Sequence, residues 1–333
     1  MKIVRSTRDG SVAPVALDYL GQIPEECLFY KKHELRHPLG IYNISLQQVI
    51  GAFGAVIEEY LSVTRRCELI VDGAFSKPER LLEYQKILLY SLREHIDDCY
   101  LILKTLVDPC TTTSRSKFTE TYVLESRLSG FKAFQQSIAG YAQGYLSTIT
   151  NRLKHQQARM RPIMLYGDGL VRVGYFIEEP DSNGVIRPAP TIHRDGNSAF
   201  SFARDILFNL FNLYYCSERL LKIVLQALSM RGLDIRPKPS PAPQQWPDLL
   251  FQAAQIRPLV FPDEPKKGIV SLRFVRGDNA ELTLKYPDKA VLYRCHSALK
   301  FTVFTQGDGV SCAFKMPYCG EERPSGLKVD LPR

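Results

Sequence analysis

The chain has 333 residues, with 43 Lys and Arg against 35 Asp and Glu for a formal net charge of +8. Its 45% hydrophobic and 23% charged content matches folded domains and excludes a disordered or collagen-like chain. The positive balance suits an acidic partner such as nucleic acid, and it also favours solubility.

The opening run Met1-Lys2-Ile3-Val4-Arg5-Ser6-Thr7-Arg8 has no apolar stretch of the kind a secretory signal carries. No window holds the roughly 18 uninterrupted apolar residues of a membrane span, so a cytoplasmic protein that does not engage a membrane is expected. Eight cysteines are dispersed with no CxxC pair, which reads as reduced thiols.

Residues 1–44 carry turn signals at Asp9-Gly10, Pro14, Pro24 and Pro38-Leu39-Gly40 and predict an irregular N-terminal arm with one short strand or helix. Ser45 then offers a cap to a helix whose apolar positions recur at Val49, Phe53, Val56, Ile57 and Tyr60 and which ends near Asp72-Gly73. Pro78 fits the first turn of a second helix, which Asp108-Pro109 stops. A third helix carries Phe131, Phe134, Ile138, Tyr141, Tyr145, Ile149 and Leu153 at steps of three and four, and Arg161-Pro162 ends it.

The period then changes. Ile163–Tyr166, Leu170–Ile177 and Val185–Arg187 alternate with glycine-bearing turns and predict short strands within 163–192. A fourth helix runs from Ser198 or Ser201 to about Met230, with Arg231-Gly232 as its stop. Residues 234–247 hold five prolines in fourteen positions, an extended linker that is expected to separate a helical domain (45–233) from a β-rich C-terminal domain (248–333). There, short strands at 268–275, 280–286, 290–294, 300–305 and 310–315 predict an antiparallel meander. The fold class expected is α+β: mainly a helical bundle with an inserted β-hairpin or small sheet, plus the small antiparallel C-terminal domain.

The residues best suited to chemistry lie at the end of the third helix, in Asn151-Arg152-Leu153-Lys154-His155-Gln156-Gln157-Ala158-Arg159-Met160-Arg161. At helical spacing, Asn151, Arg152, His155 and Arg159 share one face. Guanidinium groups hold phosphate in a bidentate fork, and an imidazole moves protons near neutral pH, so this face fits RNA without a metal or other cofactor. Solvation of a helix end by cations is the simpler alternative.

Four long helices, a polar histidine-bearing motif near the end of the third, then strands and a further amphipathic helix resemble the HEPN superfamily over residues 45–230. That family comprises helical-bundle proteins, often dimeric. Many are metal-independent ribonucleases of toxin–antitoxin, CRISPR and phage-defence systems, and others bind RNA or protein without cleaving. The resemblance implies His155, Arg152 and Arg159 as catalytic residues, with Asn151, Lys154, Arg161 and Arg194 contacting RNA. Two residues separate Arg152 from His155, against four to six in the family's catalytic pattern, so an inactive relative is expected alongside a nuclease. The partners implied are RNA, a protein partner and a second copy through the helical domain. The rival expectation is a non-catalytic interaction subunit of a larger complex.

Other histidines and cysteines carry weaker signals. His95 near Glu94 and Asp98 reads as a structural core histidine, His33 and His37 as surface residues, and Cys295, His296, Cys312 and Cys319 lack the spacing of a zinc knuckle. His193-Arg194-Asp195 reads as a helix-entry turn, and Gly167-Asp168-Gly169 as a simple turn.

Overall fold

A computed structural model describes residues 1–69, 78–109, 124–155, 157–167, 170–193, 198–239, 243–288, 300–303 and 316–318. It is α+β, with long helices beside two small antiparallel sheets.

The N-terminal arm is more ordered than its turn signals suggest. It supplies a strand, β1 (Lys2–Ser6), and a short helix, α1 (Ala16–Leu20). Helix α2 (Pro38–Leu69) begins at Pro38, seven positions before Ser45, because proline's missing amide hydrogen leaves no donor unsatisfied at a helix start. Ser45 therefore lies inside the helix, buried, with its hydroxyl 2.8 Å from Nδ1 of His95. Helix α3 (Glu79–Lys104) follows, with Pro78 at the capping position just outside it. The span Pro38–Cys67 is long and apolar enough by composition to cross a membrane, but 56% of its apolar window is buried inside the protein, as in a core helix.

The third helical rod has three parts: α4 (Phe131–Tyr141), a π turn over Ala142–Ser147, and α5 (Thr148–His155). The hydroxyls of Ser147 and Thr148 donate to the carbonyls of Ala142 and Gln143 at 2.7 and 2.9 Å, which satisfies groups that the wider turn displaces. The extra residue shifts the buried stripe. It runs through Phe131, Phe134, Ile138, Tyr141, Ala142, Leu146, Ile149 and Thr150, so Tyr145 and Leu153 lie at its half-buried margin.

The rod stops at His155, earlier than expected. From Arg159 the chain enters β2 (Arg159–Gly167), antiparallel to β3 (Leu170–Pro180) along its whole length. Strands β4 (Ile186–Pro188) and β5 (Phe200–Ser201) also pair with β3. Helix α6 (Phe202–Ser229) has buried residues on every side, the pattern of a central helix. Its cap Ser201 accepts from the Arg204 amide at 3.4 Å. At the other end Gly232, at φ +73°, lets the Leu233 amide reach back to the Leu228 carbonyl at 3.1 Å.

The proline-rich stretch does not divide two cores. The Lys238 amide donates to the Asp18 carbonyl at 2.9 Å, and Trp246, which opens α7 (Trp246–Ala253), is fully buried with Nε1 2.9 Å from the Tyr214 hydroxyl. One continuous hydrophobic cluster takes in Leu17, Phe53, Leu89, Phe134, Leu213, Trp246, Val270 and Leu284. The expected C-terminal meander is likewise split. Strands β6 (Ile269–Val275) and β7 (Glu281–Asp288) pair, but β1 closes the free edge of β7, giving the order β1-β7-β6. Strand β8 (Lys300–Val303) joins β2 in the other sheet. The strands expected at 290–294 and 310–315 lie outside the described residues.

Candidate functional site

Helix α5 and the start of β2 form a corner above β3. Asn151, Lys154 and His155 are exposed on α5, and Asn151 and His155 stay one turn apart as the spacing predicts. Arg159 does not share their helical face. It opens β2 because the strand ladder with β3 begins at the pair Arg159–Glu178.

Two of the expected cations are tied to carboxylates that close strand β3. Arg152 bonds through Nη1 to Glu179, with side chains 20% and 15% exposed. Arg161 Nε donates to Glu178 Oε1 at 2.6 Å, with 14% and 11% exposure. Glu178 stands directly across from Arg159 but takes its bond from Arg161, two residues along on the same face of the strand. Among the described residues, Lys154, His155 and Arg159 make no side-chain hydrogen bond or ion pair. Arg194 lies outside the described residues.

Beside this corner a groove of about 510 Å³ runs between α3 and β2. Leu82, Leu153, Ala158, Met160 and Pro162 give it apolar surface, Lys86 and Arg159 its positive charge, and Glu79 and Glu83 its negative charge. Glu79, Glu83 and Lys86 lie at steps of four and three on α3, a spacing visible in the sequence, although nothing in the sequence brings that face to β2. Glu178 and Glu179 are likewise functional neighbours that helical spacing does not reveal. Two carboxylates closing the apolar run Val173–Ile177 are the available signal that nearby arginines become neutralised.

The corner departs from the arrangement that the helical spacing suggests. Moving a proton at a 2′-hydroxyl while stabilising the developing phosphorane charge needs an acid–base group beside an uncommitted cation. His155 is accessible, but the guanidinium nearest to it in sequence is committed to Glu179. Beside it, Lys154 and Arg159 are exposed cations with no side-chain partner among the described residues.

The other titratable candidates have structural surroundings. His95 is buried against Ser45, and burial pulls its pKa down to about 4. Burial likewise lowers His193 to about 3, and its Nε2 accepts from the Ile177 amide at 2.8 Å. His33 Nε2 lies 2.7 Å from the Val107 carbonyl, and His37 Nδ1 accepts from the Leu39 amide at 3.2 Å. Asp205, fully buried on α6, gathers Gln85 Nε2 at 2.6 Å and the hydroxyls of Tyr145 and Tyr175 at 2.5 and 2.8 Å. Burial pushes its pKa upward and those hydroxyls oppose the rise. No three His, Cys, Asp or Glu side chains cluster as a metal site among the described residues, and Cys295, His296, Cys312 and Cys319 lie outside them.

No family model matches this chain, and neither a curated protein nor a solved structure matches it.

Proposed function

We propose that this chain binds RNA through the α5–β2 corner and does not cleave it, in the manner of an inactive HEPN-like relative. The observation that carries this reading is that Lys154, His155 and Arg159 are exposed at one corner without partners among the described residues, while Arg152 is held by Glu179. Exposed cations supply the salt-dependent attraction to phosphates. A guanidinium already neutralised by a carboxylate adds little charge for a transition state. The net charge of +8 acts in the same direction.

The test is incubation of purified protein with end-labelled single-stranded RNA, read on a native gel for binding and a denaturing gel for cleavage. A retarded but intact band is expected, weaker for Lys154→Gln with Arg159→Gln. Cleavage abolished by His155→Ala would replace this reading with a nuclease, and no retardation at low salt would remove it.

A second reading draws on the acidic wall of the neighbouring groove. Glu79 and Glu83 repel a phosphate backbone, and with Leu82 and Met160 they suit a basic amphipathic segment of a protein partner. Stoichiometric co-purification of a protein free of nucleic acid favours that reading.

A further inference from the structure

A second cavity, of about 530 Å³, opens between α3 and the third helical rod. Its α3 wall is one stripe of that helix, with Ile96, Tyr100 and Leu101 between Arg93 at one end and Lys104 at the other. Its other wall is built by Phe131 and Gln135 of α4 and by Ala142, Gln143 and Ser147 of the π turn. Ile96, Phe131 and Ala142 are buried, and the Tyr100 ring meets Phe131 edge-on with centroids 5.8 Å apart, so the floor is apolar and aromatic. A concave site of this size with an apolar floor and a few polar groups suits a small organic ligand.

The π turn shapes the second wall. At about 100° per residue, Ser147 would lie about 160° around the rod from Phe131. The wider turn winds less per residue and returns Ser147 to the cavity side. The charged groups here do not call for an ion. Arg93 is bonded to Asp97 one turn along α3, and Lys104 has an interaction of its own. The uncommitted polar groups are neutral: the Tyr100 hydroxyl and the carboxamides of Gln135 and Gln143 make no side-chain hydrogen bond among the described residues. Burial pushes the Tyr100 pKa up to about 12, so its hydroxyl keeps its proton and can donate near neutral pH. A carboxamide offers a donor and an acceptor together, which complements the edge of another amide. The aromatic floor favours a flat ring over a flexible chain.

We infer that this cavity binds an uncharged aromatic small molecule with an amide edge, its ring against Tyr100 and Phe131 and its amide served by the Tyr100 hydroxyl and the two glutamines. The site is separate from the α5–β2 corner and from the groove beside it, and it stands whether or not that corner binds RNA.

The experiment is isothermal titration of the full chain with indole-3-carboxamide and with indole-3-carboxylate, which share the ring and differ in charge and in the amide nitrogen. Tyr100→Phe, Gln135→Ala and the double variant are compared with wild type, and Lys86→Gln serves as a control outside the cavity. Tyr100→Phe keeps a ring beside Phe131, so the floor is retained and the loss of the hydroxyl is read by itself. Saturable binding of the carboxamide is expected in wild type and Lys86→Gln, with the carboxylate weaker by about tenfold because no free cation offsets its desolvation. Each single variant should weaken carboxamide binding by about fivefold, the effect of one neutral hydrogen bond. Unchanged carboxamide affinity in the double variant overturns the proposal, as does a carboxylate that binds as tightly as the carboxamide. Absence of saturable carboxamide binding also overturns it, and so does weakening by Lys86→Gln, which would place the ligand in the groove at α3 and β2.

Discussion

Arg161 on β2 donates from Nε to Glu178 on β3 at 2.6 Å, although Glu178 faces Arg159 in the strand register. This diagonal bond ties β2 to β3, while Arg152–Glu179 beside it ties the end of α5 to the sheet, and Arg159 is left exposed. The largely buried setting makes removal of one partner costly, since the other charge is left without compensation. Arg161→Ala is expected to lower unfolding stability by about 2 kcal/mol. Urea denaturation measures this, and a double-mutant cycle with Glu178→Ala should show coupling. Additive single effects would mean that the bond contributes nothing.

Gly174 on β3 sits where the backbone of Phe200 and the ring of Phe261 close over it, and a Cβ there would collide with both. The neighbours are a strand carbonyl and a fully buried ring, neither able to move cheaply. Gly174→Ala should destabilise by about 3 kcal/mol through overpacking, which thermal or chemical unfolding will register.

Asp205 accepts from Gln85, Tyr145 and Tyr175 inside the core. Asp205→Ala strands those donors together and should cost about 4 kcal/mol, above the cost of one buried hydrogen bond. Asp205→Asn keeps a carbonyl acceptor and should cost less. Similar losses for the two variants would indicate that volume alone matters.

Glu264 is fully buried and accepts from the amides of Ser201 and Phe261 at 2.9 and 2.8 Å. Burial raises its pKa from 4.5 to about 7, against the opposing pull of Arg204 and the Ser201 hydroxyl. The folded state therefore holds a proton that the unfolded chain releases, so this group's contribution to stability falls as pH rises from about 4.5 to about 7. His95 and His193 act with the opposite sign. Burial lowers them from 6.5 to about 4 and about 3, so their contribution is lost as pH falls below 6.5. The difference in unfolding free energy between wild type and Glu264→Gln isolates the glutamate, and it should move in favour of the variant across pH 4.5–7. A flat difference would contradict the assignment.

Much of the helical framework is legible in the sequence, because stripes such as Phe131–Phe134–Ile138–Tyr141 and the Gly232 stop express local geometry directly. The π turn is not, since its single extra residue leaves the apolar spacing nearly unchanged until Leu146 replaces Tyr145 on the buried side. Nor is the pairing of β1 with β7 or β8 with β2, which depends on strands distant in sequence. At the site, the exposure of Asn151, Lys154 and His155 follows from the polar helix end. The fate of Arg152 and Arg161 does not, because Glu178 and Glu179 reach them only once β2 and β3 pair.

The central claim is that the α5–β2 corner holds a phosphate backbone. It is tested most directly by fluorescence anisotropy of a labelled single-stranded RNA across a salt series, for wild type and for the Lys154→Gln, Arg159→Gln pair. The account predicts a wild-type affinity that falls steeply with salt, and a slope shallower by about 1.4 in the double variant, roughly 0.7 for each phosphate no longer neutralised. Identical slopes and affinities in the two proteins would contradict it.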